Sequence, residues 1–201
     1  MKLKEEVKLA KEALLNGGVV AFPTETVMGL GVIYNNPDAY EKLNKIKGRP
    51  ENKPYTLMVK SVDDIKYFAN ISDATQRVID VFMPGPLTIL VPLKKNSVPT
   101  YVTHGTEVIG IRVPTNEEAI KLLEEVEIPL LVPSANKSGE APCLNSQETL
   151  NVFGDEIDFI ITGKALKEQP STIVDLTEKE VKVVREGPIK KEEIERIYKN
   201  L

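Results

Sequence analysis

One cysteine, Cys143, and one histidine, His104, are all that the 201 residues offer of two side chains on which much enzyme chemistry rests. A lone thiol can neither close an internal disulfide nor build a thiolate metal site. A lone imidazole excludes sites built on paired histidines, such as those of zinc hydrolases. Both residues therefore read as ordinary packing or surface groups. No apolar run approaches the roughly 18 residues that a membrane span requires. The first fifteen residues, MKLKEEVKLAKEALL, carry Glu and Lys throughout. That pattern excludes the uncharged core of a secretory signal and predicts the opening helix of a cytoplasmic protein. A basic excess is also missing, since the formal net charge is -4. An extended grip on a phosphate backbone normally needs a basic surface, although a local basic pocket is compatible with this balance.

The familiar nucleotide signatures are missing too. No glycine-rich loop precedes a Gly-Lys-Ser/Thr. Gly29-Leu30-Gly31 is only a fragment of a dinucleotide fingerprint, with Tyr34 where the third glycine would stand. There is no Gly-x-Ser-x-Gly elbow. Any nucleotide would have to be held by another device.

What is present is an ordinary globular composition, 41% hydrophobic and 28% charged, enough for one well-buried domain. Leu3, Val7, Ala10 and Leu14 recur at helical spacing and predict a helix from about residue 4 to 16, stopped by Gly17-Gly18. Val19 to Phe22 reads as a buried strand ended by Pro23. Asn36-Pro37 is a cap and first-turn signal for a helix carrying Ala39, Leu43 and Ile46 on one side. Further strands are expected at 55–59, 87–93, 108–113, 129–132, 157–161, 171–175 and 181–184. Further helices are expected at 73–82, 115–126 and 191–198, with a capped start at Ser61 and a short helix from Ser146. Strands and helices mix without strict alternation, which predicts an α/β-type domain around one twisted, mixed sheet.

Six polar clusters fall at the ends of these elements, where ligand sites of such proteins assemble. They are Pro23-Thr24-Glu25-Thr26, Lys47-Gly48-Arg49-Pro50, Ile111-Arg112-Val113-Pro114, Pro133-Ser134-Ala135-Asn136, Pro170-Ser171-Thr172 and Val184-Arg185-Glu186-Gly187-Pro188. Each has a plain structural reading: turn residues for Thr24 and Thr26, and solvent-facing cations at a helix end for Lys47 and Arg49. Arg112 is different. It sits inside an apolar strand, where a charge needs a partner, and that partner is either a ligand or a structural ion pair. Together the clusters bring four cations and several hydroxyls, a set that suits an anionic ligand.

In their order along the chain these segments resemble the YrdC family of threonylcarbamoyl-AMP synthases. The resemblance runs from Gly17-Gly18-Val19-Val20-Ala21-Phe22-Pro23-Thr24-Glu25-Thr26-Val27 through Pro84-Gly85-Pro86-Leu87-Thr88 to Arg185-Glu186-Gly187-Pro188 and covers nearly the whole chain. The family usually has Tyr after Thr-Glu-Thr-Val, where this chain has Met28. The resemblance implies a YrdC-like fold of the α/β (α+β) class over residues 1–201, the short single-domain form. It implies a mixed sheet flanked by helices, with a concave basic pocket. It also implies the conversion of L-threonine, bicarbonate and ATP to threonylcarbamoyl-adenylate and pyrophosphate. The product would pass to a separate transferase complex that modifies the adenosine beside the tRNA anticodon, so tRNA itself is met only indirectly or weakly. By the family pattern Lys47 and Arg49 contact the ATP phosphates and are the catalytic cations, with Ser134, Asn136 and Arg185 also on the nucleotide side. Thr24, Arg112, Val132 and Ser171 lie on the threonine side. Mg²⁺ is expected to arrive mainly on ATP, with no metal site of the protein's own. The competing reading is a non-catalytic double-stranded RNA-binding module, against which the acidic balance counts.

Overall fold

The computed structural model describes residues 2–48 and 54–200. Among them nine strands form one mixed sheet: β1 (Val20–Phe22), β2 (Gly29–Ile33), β3 (Leu57–Met58), β4 (Leu87–Pro92), β5 (Val108–Arg112), β6 (Leu130–Leu131), β7 (Phe159–Ile160), β8 (Thr172–Asp175) and β9 (Lys182–Arg185). Their order across the sheet is β7-β1-β2-β6-β3-β5-β4-β8-β9. Three neighbouring pairs run parallel, β1 with β7, β3 with β5 and β4 with β8. The rest are antiparallel.

The helices are α1 (Leu3–Leu15), α2 (Pro37–Lys47), α3 (Ile65–Phe68), α4 (Asp73–Phe82), α5 (Thr100–Thr103), α6 (Glu117–Val126), α7 (Ser146–Phe153) and α8 (Lys191–Lys199). Alternation along the strands divides the core between the two faces of the sheet. In β1 and its approach, Val20 and Phe22 join the side chains of α1 and α6, among them Val7, Leu14, Leu122 and Val126. Val19 and Ala21 point the other way, into a larger cluster with Leu43 and Ile46 of α2, Val78 and Ile79 of α4, and Ile194 of α8. Caps fix where the long helices begin. Asn36, Ser72, Asn116 and Asn145 each accept a hydrogen bond from a backbone N–H in the first turn of α2, α4, α6 and α7.

The expected elements at 55–59 and 157–161 narrow to the two-residue strands β3 and β7. Ser61 makes no side-chain cap; a 3₁₀ turn at Val62–Asp64 leads into α3 instead. The strand β2 and the short α5 were not expected at all. β2 contains two glycines, which weaken any strand signal. Gly31 is needed there for close approach: a Cβ on it would lie 2.7 Å from Cε1 of Phe22 in the adjacent strand.

Candidate functional site

Because the sheet is mixed, the end of one strand lies beside the start of the next. Among the described residues seven strands contribute their ends to one open cavity of about 120 Å³. Thr24 and Thr26 follow β1, Val27 to Gly29 lead into β2, and Pro54 to Thr56 lead into β3. Arg112 closes β5, Val132 to Ser134 follow β6, and Pro170 and Ser171 precede β8. Thr88 of β4 and Arg185 at the end of β9 complete the wall. Of the residues singled out from sequence, Thr24, Arg112, Val132, Ser134, Ser171 and Arg185 all line this cavity. Lys47 and Asn136 stand behind Ser134, and Arg49 lies outside the described residues.

The turn after β1 is held by a chain of hydroxyls whose direction is forced. Arginine can only donate, so Nη2 of Arg112 gives a hydrogen to Oγ1 of Thr26 at 2.9 Å. The hydroxyl of Thr24 spends its one hydrogen on the carbonyl of Val27 at 2.6 Å. Across the 2.9 Å between the two hydroxyls, Thr26 is therefore the donor and Thr24 the acceptor. Neither threonine keeps a hydrogen to offer a ligand. A different pair does. Oγ of Ser171 and Oγ1 of Thr88 lie 3.1 Å apart and share one hydrogen, which leaves the other free to donate among the described residues. Arg185 grips this corner, donating from Nε and Nη2 to the Ser171 carbonyl at 3.0 and 2.8 Å and from Nη2 to its hydroxyl at 3.0 Å.

Arg112 has its partner inside the chain. Its Nη2 also donates to Oε1 of Glu25 at 2.7 Å, with the two side chains only 8% and 7% exposed. Nε of Arg112 and Oε2 of Glu25 are buried without hydrogen-bond partners. Glu25 is the functional candidate that sequence reasoning passed over. A glutamate in a polar turn reads as solvated, and only the need of a buried arginine for a partner could have pointed to it.

Lys47 corrects an expectation. It is not solvent-facing but 2% exposed. Its Nζ donates to the carbonyls of Ser134 and Asn136 at 2.6 and 2.7 Å. The signal was present, because Lys47 is four residues from Leu43 and eight from Ala39, which places it on the buried stripe of α2. In the segment it holds, Oγ of Ser134 donates to Oδ1 of Asn136 at 2.6 Å. The Asn136 amide donates to the carbonyls of Lys137 and Glu140 at 2.7 and 3.1 Å. Lys47→Met should therefore do more than lose a charge. It leaves two carbonyls of that segment without their cation and should cost about 1–3 kcal/mol in urea denaturation. A variant as stable as the parent would mean the clamp holds nothing.

Behind the cavity, the Met28 amide donates to the Cys143 carbonyl at 3.0 Å and the Cys143 amide to the Ala135 carbonyl at 2.8 Å. Burial pushes the Cys143 thiol up, opposed by a hydrogen bond with Thr149, so it is a neutral packing group. Among the described residues no cluster of three or more His, Cys, Asp or Glu could hold a metal ion. No helix there is long and apolar enough to cross a membrane.

The Sua5/YciO/YrdC profile, described as "Telomere recombination", matches residues 12–187. The threonylcarbamoyl-AMP synthase of Pyrococcus abyssi is 34% identical over 194 residues, covering 96% of this chain and 57% of that protein. The threonylcarbamoyl-AMP synthase of Marinobacter nauticus is 34% identical over 174 residues, covering 85% of this chain and 91% of that protein. The crystal structure of P. abyssi Sua5 complexed with L-threonine superposes with a TM-score of 0.91 at 32% identity, covering 98% of this chain and 58% of that one. This chain thus spans little more than half the length of the P. abyssi protein, while nearly filling that of M. nauticus. With the profile extending over most of its residues, the chain belongs to the Sua5/YciO/YrdC family.

Proposed function

We propose that the chain is an L-threonylcarbamoyladenylate synthase. The observation that supports this best is the convergence of Arg112, Ser171, Ser134 and Arg185 on one cavity, in a fold that superposes on a relative crystallised with L-threonine. In this reading Arg112 meets the threonine carboxylate, and the spare hydrogen of the Ser171–Thr88 pair meets its hydroxyl. Thr24 shapes the wall through its turn, and Val132 through its backbone. Ser134, Asn136 and Arg185 belong to the nucleotide side, where Arg49 and Lys47 complete the catalytic set. Lys47 acts there partly by holding Ser134 and Asn136 in place.

The chemistry asks little of a general base. Threonine's amine and bicarbonate condense to a carbamate with loss of water. A carbamate oxygen then displaces pyrophosphate from the α-phosphorus of ATP. That step needs in-line placement and compensation of phosphate charge. Among the described residues the cavity lining supplies cations and neutral hydroxyls rather than a carboxylate cage, which fits Mg²⁺ carried in on ATP's own oxygens. When bound, the ion would neutralise phosphate charge. The product would pass to a separate threonylcarbamoyl transferase complex in the cytoplasm, with tRNA met there. Pyrophosphate release is expected only when ATP, L-threonine and bicarbonate are all supplied. Equal release with threonine omitted would remove the assignment.

A further inference from the structure

We propose that Glu25 is the positioning residue for Arg112, fixing which nitrogen of the guanidinium is presented to the carboxylate of an amino-acid substrate; this rests on the synthase reading above. Glu25 does not itself line the cavity, whereas Arg112 does. Both hydrogens of Nη2 are committed to partners within the chain. One goes to Oε1 of Glu25 at 2.7 Å and one to Oγ1 of Thr26 at 2.9 Å. The Thr26 acceptor is itself aligned, because its own hydrogen goes to Thr24, whose hydrogen goes to the Val27 carbonyl. Nε is buried without a partner. Nη1 is then the one nitrogen of the group that is neither bonded to the chain nor sealed from the cavity, among the described residues. The contact with a substrate carboxylate is therefore a single charged hydrogen bond from Nη1, not the two-pronged fork that an isolated arginine would offer.

The arrangement has an energetic reason. A free arginine side chain must surrender its rotamer freedom when it captures a ligand, and a pre-held one has surrendered it on folding. Glu25 also places a negative charge near the incoming carboxylate, which by itself disfavours binding. Positioning and repulsion thus predict opposite outcomes when the charge is removed, and the proposal commits to positioning.

The test is Glu25→Gln, which keeps the shape and removes the charge. Glu25→Asp is the second variant, because it keeps the charge and withdraws it by one methylene. L-threonine is titrated by calorimetry, and half-saturating threonine and ATP are measured by pyrophosphate release. For Glu25→Gln we expect threonine affinity to fall about tenfold, half-saturating ATP to change less than twofold, and turnover at saturating threonine to stay within about threefold. Glu25→Asp should lie between Gln and the parent. In an Arg112→Lys background the Gln change should add nothing, because Glu25 acts only through Arg112. Tighter threonine binding by Glu25→Gln overturns the proposal and makes Glu25 a competitor for Arg112. So do equal losses for threonine and ATP, or a full additional loss in the Lys background. Parent protein that binds threonine while both variants match it overturns the positioning role alone. Parent protein that binds no threonine overturns the synthase reading, and this proposal with it.

Discussion

Arg112→Met should lower stability by about 3–5 kcal/mol, the range for breaking a buried ion pair from one side. The loss comes less from the missing attraction than from what remains. Glu25 would be left with a carboxylate that is 7% exposed and has no cation, and Thr26 would lose the donor that aligns it. Removing both charges should hurt less than removing one. The double variant Glu25→Gln/Arg112→Met should therefore recover a good part of the stability in urea denaturation, while threonine-dependent pyrophosphate release stays lost in both. That split separates the two duties of Arg112, one to the fold and one to the ligand. A double variant as unstable as the single one would show that the pair is not the source of the loss.

Gly187→Ala should be nearly as damaging, for a reason that involves no charge. A Cβ at this position would press on the backbone nitrogen of Thr172 and lie 2.7 Å from both the Pro170 carbonyl oxygen and the Ser171 carbonyl carbon. All three are backbone atoms, so no side chain can swing away to make room. The chain at the entrance of β8 must shift, at a cost of about 1–3 kcal/mol for overpacking. Ser171 is in that segment, shares a hydrogen with Thr88 and is gripped by Arg185. Turnover should fall at least tenfold even at a temperature where the variant is fully folded. A folded Gly187→Ala protein with parental turnover would mean that the placement of Ser171 does not matter to catalysis.

Patterned or capped segments were legible from the sequence, and those shaped by distant neighbours were not. The stripe Val7, Ala10, Leu14 identified α1, and Asn36-Pro37 marked the start of α2, because these signals are local. β2 was invisible because its glycines answer to distant residues, Gly31 to Phe22 and Gly29 to Val132, rather than to their own neighbours. At the cavity, Arg112 announced its need for a partner by lying in an apolar strand. Nothing along the chain named Glu25 as that partner, which reaches it from the turn after β1, four strands away from β5 in the sheet. Lys47 was misread for a related reason. Its type suggested solvent, while its phase on the helix placed it inside.

The walls of the cavity reach from Thr24, just after the first strand, to Arg185, on the last. No contiguous fragment of the chain carries them. β1 pairs with β7, and β4 with β8, across long stretches of sequence. Such pairings form late and slowly, because the loops between them must close before any contact repays the entropy. The binding site is therefore expected to be completed late in folding rather than to seed it. A ligand that recognises only the finished cavity should leave the refolding rate alone and slow unfolding.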